Sequence, residues 1–393
     1  MYRTLNDFDF KGKVVFVRAD LNVPAKEGVI TDLTRIQRFV PTLKEISEKG
    51  GKVIVASHFG RPKGRDETFS LKFMLPELEK QSGLKITFCE DCIGEKRDEC
   101  IQNMKEGDVL LLENVRFYPG EEKNDKDFAE SLASGVDIYI NDAFSTAHRA
   151  HASTEGIAHL LPSGAGRLMQ EELEALEKAL GNPVRPVAAL VGGSKVSTKL
   201  DLLGNLVKKV DYLLIGGGMA HTFLAAQGIK LGKGSLVEEG MIETARAILD
   251  SAQTCKIVLP LDITWADEFG EGQEPHVSPV DAIPEGKVLL DIGAETVKAF
   301  TDVLKECKTL IWNGPVGAFE IKPFDKSTNE IAFCVADLTQ EGRLLSVAGG
   351  GDTVSALKKA GVADKMTYVS SAGGAFLEWM EGKVLPGVAI LEK

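Results

Sequence analysis

The chain has 393 residues, of which 44% are hydrophobic and 26% charged, as is typical of a globular protein with a sizeable core and two or three domains. Its formal net charge of -12 argues against a nucleic acid or an anionic membrane as partner. The first residues contain no apolar segment of a signal peptide, and no run approaches the roughly 18 apolar residues that span a bilayer, so we expect a cytoplasmic protein with free thiols.

Strand-like and helical runs alternate through the first half of the chain. The helical patterns include Leu33–Glu48 and Leu71–Gln81. The apolar runs that predict buried strands are Lys13–Arg18, Lys52–Ser57, Lys85–Phe88, Val109–Leu112 and Val136–Ile140.

Polar side chains follow four of these strands, and ligands bind at the carboxyl ends of strands in open α/β sheets. Nine of the thirteen arginines precede residue 167, and arginine binds carboxylate and phosphate through two hydrogen bonds at once. The first half therefore predicts a site for a small anion, although surface ion pairs would also explain the arginines. The candidate residues are Asp20, Asn22, His58, Arg61, Arg116 and Arg149 near the strand ends, with Arg35 on the first helix.

A predicted helix, Leu168–Leu180, lies near the middle of the chain and has helix-breaking residues on both sides. Glycines precede it, and Gly181-Asn-Pro183 follows it, which is the pattern of an interdomain connector. We therefore expect a first domain over residues 1–167, a helix and linker over 168–185, and a second domain over 186–381.

The second half repeats the alternation. Its predicted strands are Val187–Val191, Tyr212–Ile215, Lys256–Pro260, Val288–Asp291, Thr309–Trp312, Leu344–Val347 and Thr367–Ser370. Strand–helix alternation in both halves predicts an α/β protein with two doubly wound, mainly parallel sheets, joined by the central helix as a hinge.

Glycines follow five of the strands in the second half, and several directly precede helices. Backbone amides at helix starts, with no side chain to block approach, can cradle a phosphate. One such turn is weak evidence, but five in one domain favour a nucleotide or polyphosphate site. The glycine turns are Gly192-Gly193, Gly216–Gly218, Asn313–Pro315, Gly349–Thr353 and Gly373-Gly374.

The first of these turns is followed by two lysines. Ser194 is placed to cap a helix, and the four-residue spacing of Lys195 and Lys199 would put both ammonium groups on one face near the helix start. Cations are disfavoured there by the helix dipole, so the pair makes sense where an anion binds. The alternative is two solvated surface lysines.

The absence of other motifs argues against several kinds of site. The chain has no Gly-x4-Gly-Lys-Ser/Thr loop, no protein-kinase motif set and no Gly-x-Ser-x-Gly elbow. Cys89-x-x-Cys92 has no second Cys or His pair at a suitable spacing, which argues against a zinc or redox site.

An arginine-rich anion site and a glycine-rich phosphate site, joined by a hinge, predict a kinase for a small anionic acceptor. An acceptor carboxylate is already ionised at pH 7, so no general base is needed. One alternative is a non-catalytic two-domain nucleotide-binding sensor, which could lack Arg35 or Lys199. Another is an NAD-dependent dehydrogenase, but the strand that ends at Val17 lacks the Gly-x-Gly-x-x-Gly turn.

The chain resembles the phosphoglycerate kinase family over essentially its whole length. Nine motifs in the same order carry the resemblance, which makes a chance match negligible. These motifs are Val14–Pro24, Ser57–Pro62, Leu112–Phe117, Thr146–His151, Val191–Leu200, Gly216–Ala220, Trp312–Pro315, Phe319-Glu320 and Gly349–Thr353.

The resemblance implies a monomer with two Rossmann-like domains. It implies reversible phosphoryl transfer between 1,3-bisphosphoglycerate and ADP, which gives 3-phosphoglycerate and ATP in glycolysis and gluconeogenesis, with Mg2+ bound to the nucleotide. It also implies that a C-terminal tail, about residues 382–393, returns to the first domain.

Site residues follow from the matched motifs. The seven candidates of the first half would bind 3-phosphoglycerate, and Arg35 would also touch the phosphoryl group in flight. Lys195 would bind nucleotide phosphate, Lys199 would follow the transferring group, and Asp352 would ligate Mg2+. The other implied nucleotide contacts are Gly193, Gly217, Asn313, Glu320 through the ribose, Gly349, Gly350, Gly351 and Thr353.

Three positions depart from the family's commonest pattern. Ser145 stands where glycine is frequent, Phe59 where leucine is frequent, and His221 where an apolar or aromatic residue is usual. None of these departures removes a ligand group.

Overall fold

In a computed structural model, residues 2–392 are described, and they form two compact units. The first unit runs to Leu173 and includes the residues from Val384 onward, and the second is Glu174–Lys383. The predicted first domain ended at residue 167 and the predicted tail began near 382. Met1 and Lys393, which those predictions include, lie outside the described residues.

The first unit is built on a six-stranded parallel sheet in the order β5-β6-β4-β1-β7-β8. Its strands are β1 (Val14–Ala19), β4 (Lys52–Ala56), β5 (Ile86–Cys89), β6 (Val109–Leu112), β7 (Ile138–Asp142) and β8 (Ser163–Ala165), with a small hairpin of β2 (Ala25–Lys26) and β3 (Val29–Ile30). Its helices are α1 (Thr34–Glu48), α2 (Leu75–Ser82), α3 (Glu95–Gln102) and α4 (Lys126–Ala133), followed by α5 (Arg167–Leu176), which crosses the boundary between the units.

Burial explains why these segments take these forms. The central strand β1 is covered on both faces, and Val15, Phe16 and Val17 are fully buried, as expected for a parallel strand. Helix α1 buries an apolar face at three- and four-residue spacing, which includes Ile36 and Leu43. Each such side chain stabilises the fold by about 1.5–3 kcal/mol relative to its exposed state.

The sequence did not predict β8 or the β2–β3 hairpin. Strand β8 consists of Ser163, Gly164 and Ala165, which carry no apolar run. It pairs with β7 in register, and the ring of Phe8 lies 2.6 Å from where a side chain on Gly164 would begin. Tertiary packing, rather than local propensity, therefore makes this segment a strand.

The second unit contains a parallel sheet in the order β11-β10-β9-β15-β16-β17 and a separate antiparallel sheet in the order β13-β12-β14. The strands are β9 (Val187–Val191), β10 (Tyr212–Ile215), β11 (Lys256–Val258), β12 (Asp262–Ala266), β13 (His276–Pro279), β14 (Val288–Ile292), β15 (Thr309–Asn313), β16 (Leu345–Ala348) and β17 (Tyr368–Val369). The helices are α6 (Leu200–Leu206), α7 (Gly218–Ala226), α8 (Ile242–Ser251), α9 (Ala294–Glu306), α10 (Lys326–Gln340), α11 (Gly351–Lys359) and α12 (Gly373–Met380).

The α/β class with two mainly parallel sheets is thus confirmed. The strand predicted at Val288–Asp291 belongs to the antiparallel sheet rather than to the main one. Helix α5 ends in a π-helical turn, Glu177–Gly181, so the predicted helix over Leu168–Leu180 is present. A last short helix, α13 (Pro386–Ala389), lies in the first unit, where Gly387 O accepts a hydrogen bond from Asn141.

Two further properties bear on function. Within residues 2–392, no helix combines the length and the apolar character needed to traverse a bilayer. The six cysteines are free thiols, and burial raises the pKa of Cys89 to about 11 and that of Cys307 to about 12.

Candidate functional site

A polar cluster in the first unit is built around Asp20, just beyond the end of β1. Its Oδ1 atom accepts a hydrogen bond from Arg35 Nη1 at 2.8 Å, and its Oδ2 atom accepts one from Ser145 Oγ at 2.5 Å. Arg35 also donates to the Asn22 carbonyl at 2.9 Å. The carboxylate therefore holds Arg35 in place, and Ser145 adds a contact that a glycine could not make.

Gly60, in the loop after β4, ties three of the predicted segments together. Its N–H group donates to Asn22 Oδ1 at 2.9 Å, and its carbonyl accepts from Arg116 Nη1 at 2.7 Å. Its φ of +62° favours glycine, and the ring of Phe69 would lie 2.4 Å from an added Cβ. The ends of β1, β4 and β6 thus meet at one edge, as the parallel register requires.

His58 is buried beside the arginines. Arg18 Nη2 lies 3.1 Å from His58 Nδ1, and because guanidinium only donates, Nδ1 accepts and the ring proton is on Nε2. Burial lowers the pKa of His58 well below its usual value, and the charges of Arg18, Arg116, Arg35 and Arg149 lower it further. His58 is therefore a neutral donor surrounded by cations.

The sequence analysis missed Arg18, which is 1% exposed. Arg18 Nε donates to Ser153 Oγ at 2.8 Å, and Ser153 Oγ donates to Glu121 Oε1 at 2.5 Å. Burial raises the pKa of the Glu121 carboxyl, whereas Arg18 and Ser153 lower it. The position of Arg18 near the end of a predicted strand was a usable signal.

Two other predicted arginines, Arg149 and Arg61, are less buried and have fewer partners. Arg149 is half-buried and donates from Nε to His148 Nε2 at 3.2 Å. Arg61 is exposed and forms no ion pair within the described residues. The buried Nη2 atom of Arg116 has no hydrogen-bond partner there either, so unpaired donor capacity remains at this edge. Such a cluster is suited to a ligand with several negative charges.

In the second unit, the segment after β9 differs from its predicted form. Ser194 does not cap a helix, because a short 3-10 helix, Val196–Thr198, intervenes before α6. Lys195 is exposed, whereas Lys199 is half-buried, so the two ammonium groups do not share a helix face. The helical spacing of the apolar residues could not reveal the change of helix type.

Lys199 points back toward the glycine turns. Its Nζ atom donates to Gly192 O at 2.5 Å and to Asn313 Oδ1 at 2.7 Å. Burial lowers the pKa of Lys199 to about 8, and the nearby carboxylate of Asp352 opposes that shift. The second unit thus holds a partly desolvated cation at the carboxyl ends of β9 and β15.

The glycines named for nucleotide binding differ in their surroundings. An added Cβ on Gly217 would lie 2.7 Å from Gly193 O, and one on Gly349 would lie 2.5 Å from the Phe376 ring. Gly350 has a φ of +96°. An added Cβ on Gly351, by contrast, would meet no heavy atom within 4 Å. Packing explains Gly217 and Gly349, whereas Gly351 leaves open space at the start of α11.

Asn313 and Thr353 are buried, and their side chains form hydrogen bonds with backbone groups of the second unit. Asn313 Nδ2 donates to Gly349 O at 2.9 Å, and Thr353 Oγ1 accepts from Gly314 N at 2.7 Å. These contacts join the turns after β15 and β16. Both residues therefore support the glycine turns, and Asn313 also holds Lys199.

A cavity of about 590 Å³ opens beside these turns. One end is lined by Gly193, Gly217 and Asp352, and Glu320 is an exposed carboxylate on its wall. Most of the remaining wall residues are apolar, and two of the apolar residues are unusually exposed, Phe269 at 68% and Leu236 at 50%. Sequence reasoning missed this apolar part, to which Ile263, Phe269, Val288 and Leu290 belong.

The residues can be tested for their fit to Mg2+. Residues 2–392 hold no group of three or more His, Cys, Asp or Glu side chains placed to bind a metal. Asp352 is a single exposed carboxylate beside open space at the start of α11. One carboxylate with phosphate oxygens is a usual Mg2+ environment, so the site fits an ion carried by a nucleotide.

Comparison with known proteins identifies close relatives. Residues 5–383 match the family model described as "Phosphoglycerate kinase". The chain is 58% identical over 394 residues to a phosphoglycerate kinase of Cereibacter sphaeroides, with 99% of each covered, and 56% identical over 397 residues to one of Brucella abortus, with 100% of each covered. The solved structure of phosphoglycerate kinase from Coxiella burnetii matches with a TM-score of 0.93 at 41% identity, over 100% of this chain and 99% of that one.

Proposed function

This chain belongs to the phosphoglycerate kinase family, and from that membership we propose how its residues transfer a phosphoryl group reversibly between 1,3-bisphosphoglycerate and ADP. It is a glycolytic kinase whose acceptor is a carboxyl group, and its nucleotide substrates are ATP and ADP. The proposals below concern the residues, the metal and the assembly.

The observation that carries the proposal is the position of Lys199. Its ammonium group is held by Gly192 O and Asn313 Oδ1 at the glycine-rich edge and interacts with Asp352. A partly desolvated cation interacts strongly with charge that develops during phosphoryl transfer. We assign Lys199 to the transferring group and the exposed Lys195 to nucleotide phosphate.

The cavity of the second unit would bind the nucleoside. Its apolar walls, including Phe269 and Leu236, suit the faces of a base, and the Glu320 carboxylate can accept hydrogen bonds from ribose hydroxyls. Phosphates would lie toward Gly193 and the start of α11, where amide groups and the helix dipole favour anions. Asn313, Thr353 and the glycines at 217, 349 and 350 shape this end.

The edge of the first unit would bind 3-phosphoglycerate. Arg35, Arg61, Arg116 and Arg149 supply positive charge, and neutral His58 supplies an Nε2–H donor. Asp20 and Asn22 position Arg35 and the Gly60 loop. The acceptor carboxylate is already ionised, so the chain's residues neutralise charge and orient the substrates without acting as a base. We propose that closure about α5 brings the two substrates together.

We propose that Asp352 would hold Mg2+ together with phosphate oxygens of the nucleotide. The ion would supply neutralisation of charge on the phosphates. We also propose that the protein works as a cytoplasmic monomer.

A coupled assay that detects ADP formation from 3-phosphoglycerate and MgATP tests the proposed function. We expect turnover that requires both substrates. Binding of both ligands by calorimetry without turnover would favour the sensor instead. Arg35→Ala should lower kcat far more than it weakens nucleotide binding, and a change in nucleotide affinity alone would contradict the role given to Arg35.

A further inference from the structure

His221 lies on α7 in the wall of the nucleotide cavity and is only 3% exposed. It is the one imidazole among the residues described as lining that cavity. The reaction proposed above gives it no role, so its polar atoms need a separate explanation.

The ring has a defined tautomer. The Leu236 backbone N–H donates to His221 Nδ1 at 3.1 Å, so Nδ1 is an acceptor. Burial lowers the pKa of His221 to about 4, which leaves the ring neutral near pH 7. The single ring proton therefore resides on Nε2.

Nε2 is the polar atom that remains. It makes no hydrogen bond with any of residues 2–392, and part of its surface is accessible. Because the rest of His221 is buried and the ring lines the cavity, Nε2 opens into that cavity. The Nε2–H group is therefore a donor that no side chain or backbone group of the described residues occupies, and a ligand in the cavity can supply its acceptor.

The chemistry of the neighbours indicates which part of the nucleotide this acceptor belongs to. The Glu320 carboxylate would accept hydrogen bonds from ribose hydroxyls. Lysine and the backbone amides at Gly193 and Gly351 suit phosphates. His221 instead hydrogen-bonds the backbone of Leu236, an apolar residue of the cavity that is 50% exposed and suits the face of a base. Purine ring nitrogens are acceptors whose lone pairs lie in the plane of the base.

We propose that the Nε2–H group of His221 donates a hydrogen bond to a ring nitrogen of adenine, so that His221 is a specificity-determining residue. This inference rests on the proposed function, since it requires that the cavity bind ADP. His221 acts on nucleotide affinity and takes no part in phosphoryl transfer.

The test uses calorimetry of the full chain with MgADP and with its 1-deaza, 3-deaza and 7-deaza analogues, each of which replaces one ring nitrogen by C–H. We expect one analogue to bind wild-type protein about tenfold more weakly than ADP. His221→Leu should bind ADP about tenfold more weakly and lose nothing further with that analogue. His221→Gln, whose amide can both accept from Leu236 N–H and donate to the base, should recover much of the affinity.

Equal binding of ADP and all three analogues by wild-type protein would overturn the inference, and that comparison needs no variant. An analogue penalty of the same size in His221→Leu would also overturn it. If ADP itself did not bind the wild-type protein, the proposed function would fail first. Binding of 3-phosphoglycerate to each variant is the control for an intact first unit.

Discussion

Lys199 Nζ donates a hydrogen bond to Asn313 Oδ1 at 2.7 Å, which joins the segment after β9 to the end of β15. Asn313 in turn donates from Nδ2 to Gly349 O at 2.9 Å, at the turn after β16. One asparagine therefore fixes Lys199 relative to two glycine turns. Because both polar atoms of its side-chain amide are used within the unit, we propose that Asn313 acts by positioning Lys199.

Removal of the Lys199 charge should affect chemistry more than binding. We expect Lys199→Met, which keeps the length of the aliphatic chain, to lower kcat by roughly 100-fold or more, because charge that develops in the transition state loses a desolvated cation. The Kd for MgADP should change by less than about tenfold. Steady-state kinetics and calorimetry measure the two effects.

Lys195→Met is the matched control, since Lys195 is exposed and assigned to nucleotide phosphate. It should weaken nucleotide binding and leave kcat nearly unchanged. The opposite pattern in the two variants would mean that the roles of the lysines are exchanged.

Nucleotide binding should also take up protons at mildly alkaline pH. Burial lowers the pKa of Lys199 to about 8, so about half of the free protein lacks this charge at pH 8. A bound anion favours the charged form and raises the pKa, so binding adds a fraction of a proton, and affinity falls as pH rises through 8. Calorimetry at pH 8 in buffers of different ionisation enthalpy measures this uptake. Lys199→Met should lack that contribution, and identical uptake in both proteins would assign the proton to another group.

Gly351 allows the phosphate assignment to be tested without disturbing the fold. An added Cβ meets no heavy atom within 4 Å, so Gly351→Ala should fold with an unchanged or slightly raised Tm. A methyl group at the start of α11 should obstruct approach of a phosphate, and we expect the Kd for MgADP to rise about tenfold. Gly204→Ala is the control, because Gly204 lies inside α6, outside the glycine turns, and an added Cβ there also meets no heavy atom within 4 Å. Equal affinity of the two variants would place the phosphates away from α11.

Arg18 should act by orienting His58. Its guanidinium donates hydrogen bonds to Ser153 Oγ, the Ala19 carbonyl and His58 Nδ1 at the same time. The single ammonium group of a lysine cannot reach all three. Arg18→Lys should therefore raise the KM for 3-phosphoglycerate about tenfold and leave the KM for ATP unchanged. It should also shift the ¹⁵N resonance of His58 Nδ1, which a purely structural loss elsewhere would not do. Equal changes in both KM values would point to a general loss of structure.

The polar cluster of the first unit was largely predictable from the sequence, whereas the walls of the cavity in the second unit were not. Asn22 and Arg116 could be placed together because parallel strands bring their carboxyl ends to one edge, and both contact Gly60 there. Phe269 and Leu290 could not, because their segments form an antiparallel sheet and a loop whose partners no local pattern specifies. Lys195 and Lys199 differ in orientation because a 3-10 helix lies between them, and the spacing of apolar residues cannot distinguish a 3-10 helix from an α-helix.

Asp142, the last residue of β7, makes stability depend on pH. Its Oδ1 atom accepts from Met169 N at 3.1 Å, its Oδ2 atom is buried without a hydrogen-bond partner, and burial raises its pKa to about 7. In the unfolded chain the same carboxyl titrates near 3.9. Between these two values the folded state binds more protons, so this group's contribution to the free energy of unfolding falls as pH rises from about 4 to 7, by a few kcal/mol at most.

Asp142→Asn removes that titration, because the amide keeps one oxygen as acceptor for Met169 N and carries no charge. We expect the difference in free energy of unfolding between wild type and Asp142→Asn to shift toward the variant as pH is raised from 5 to 8. Urea unfolding at several pH values measures that shift. Asp127→Asn, which alters an exposed carboxylate on α4, should follow the wild-type pH profile. Parallel profiles for wild type and Asp142→Asn would show that the Asp142 carboxyl does not change its charge in this range.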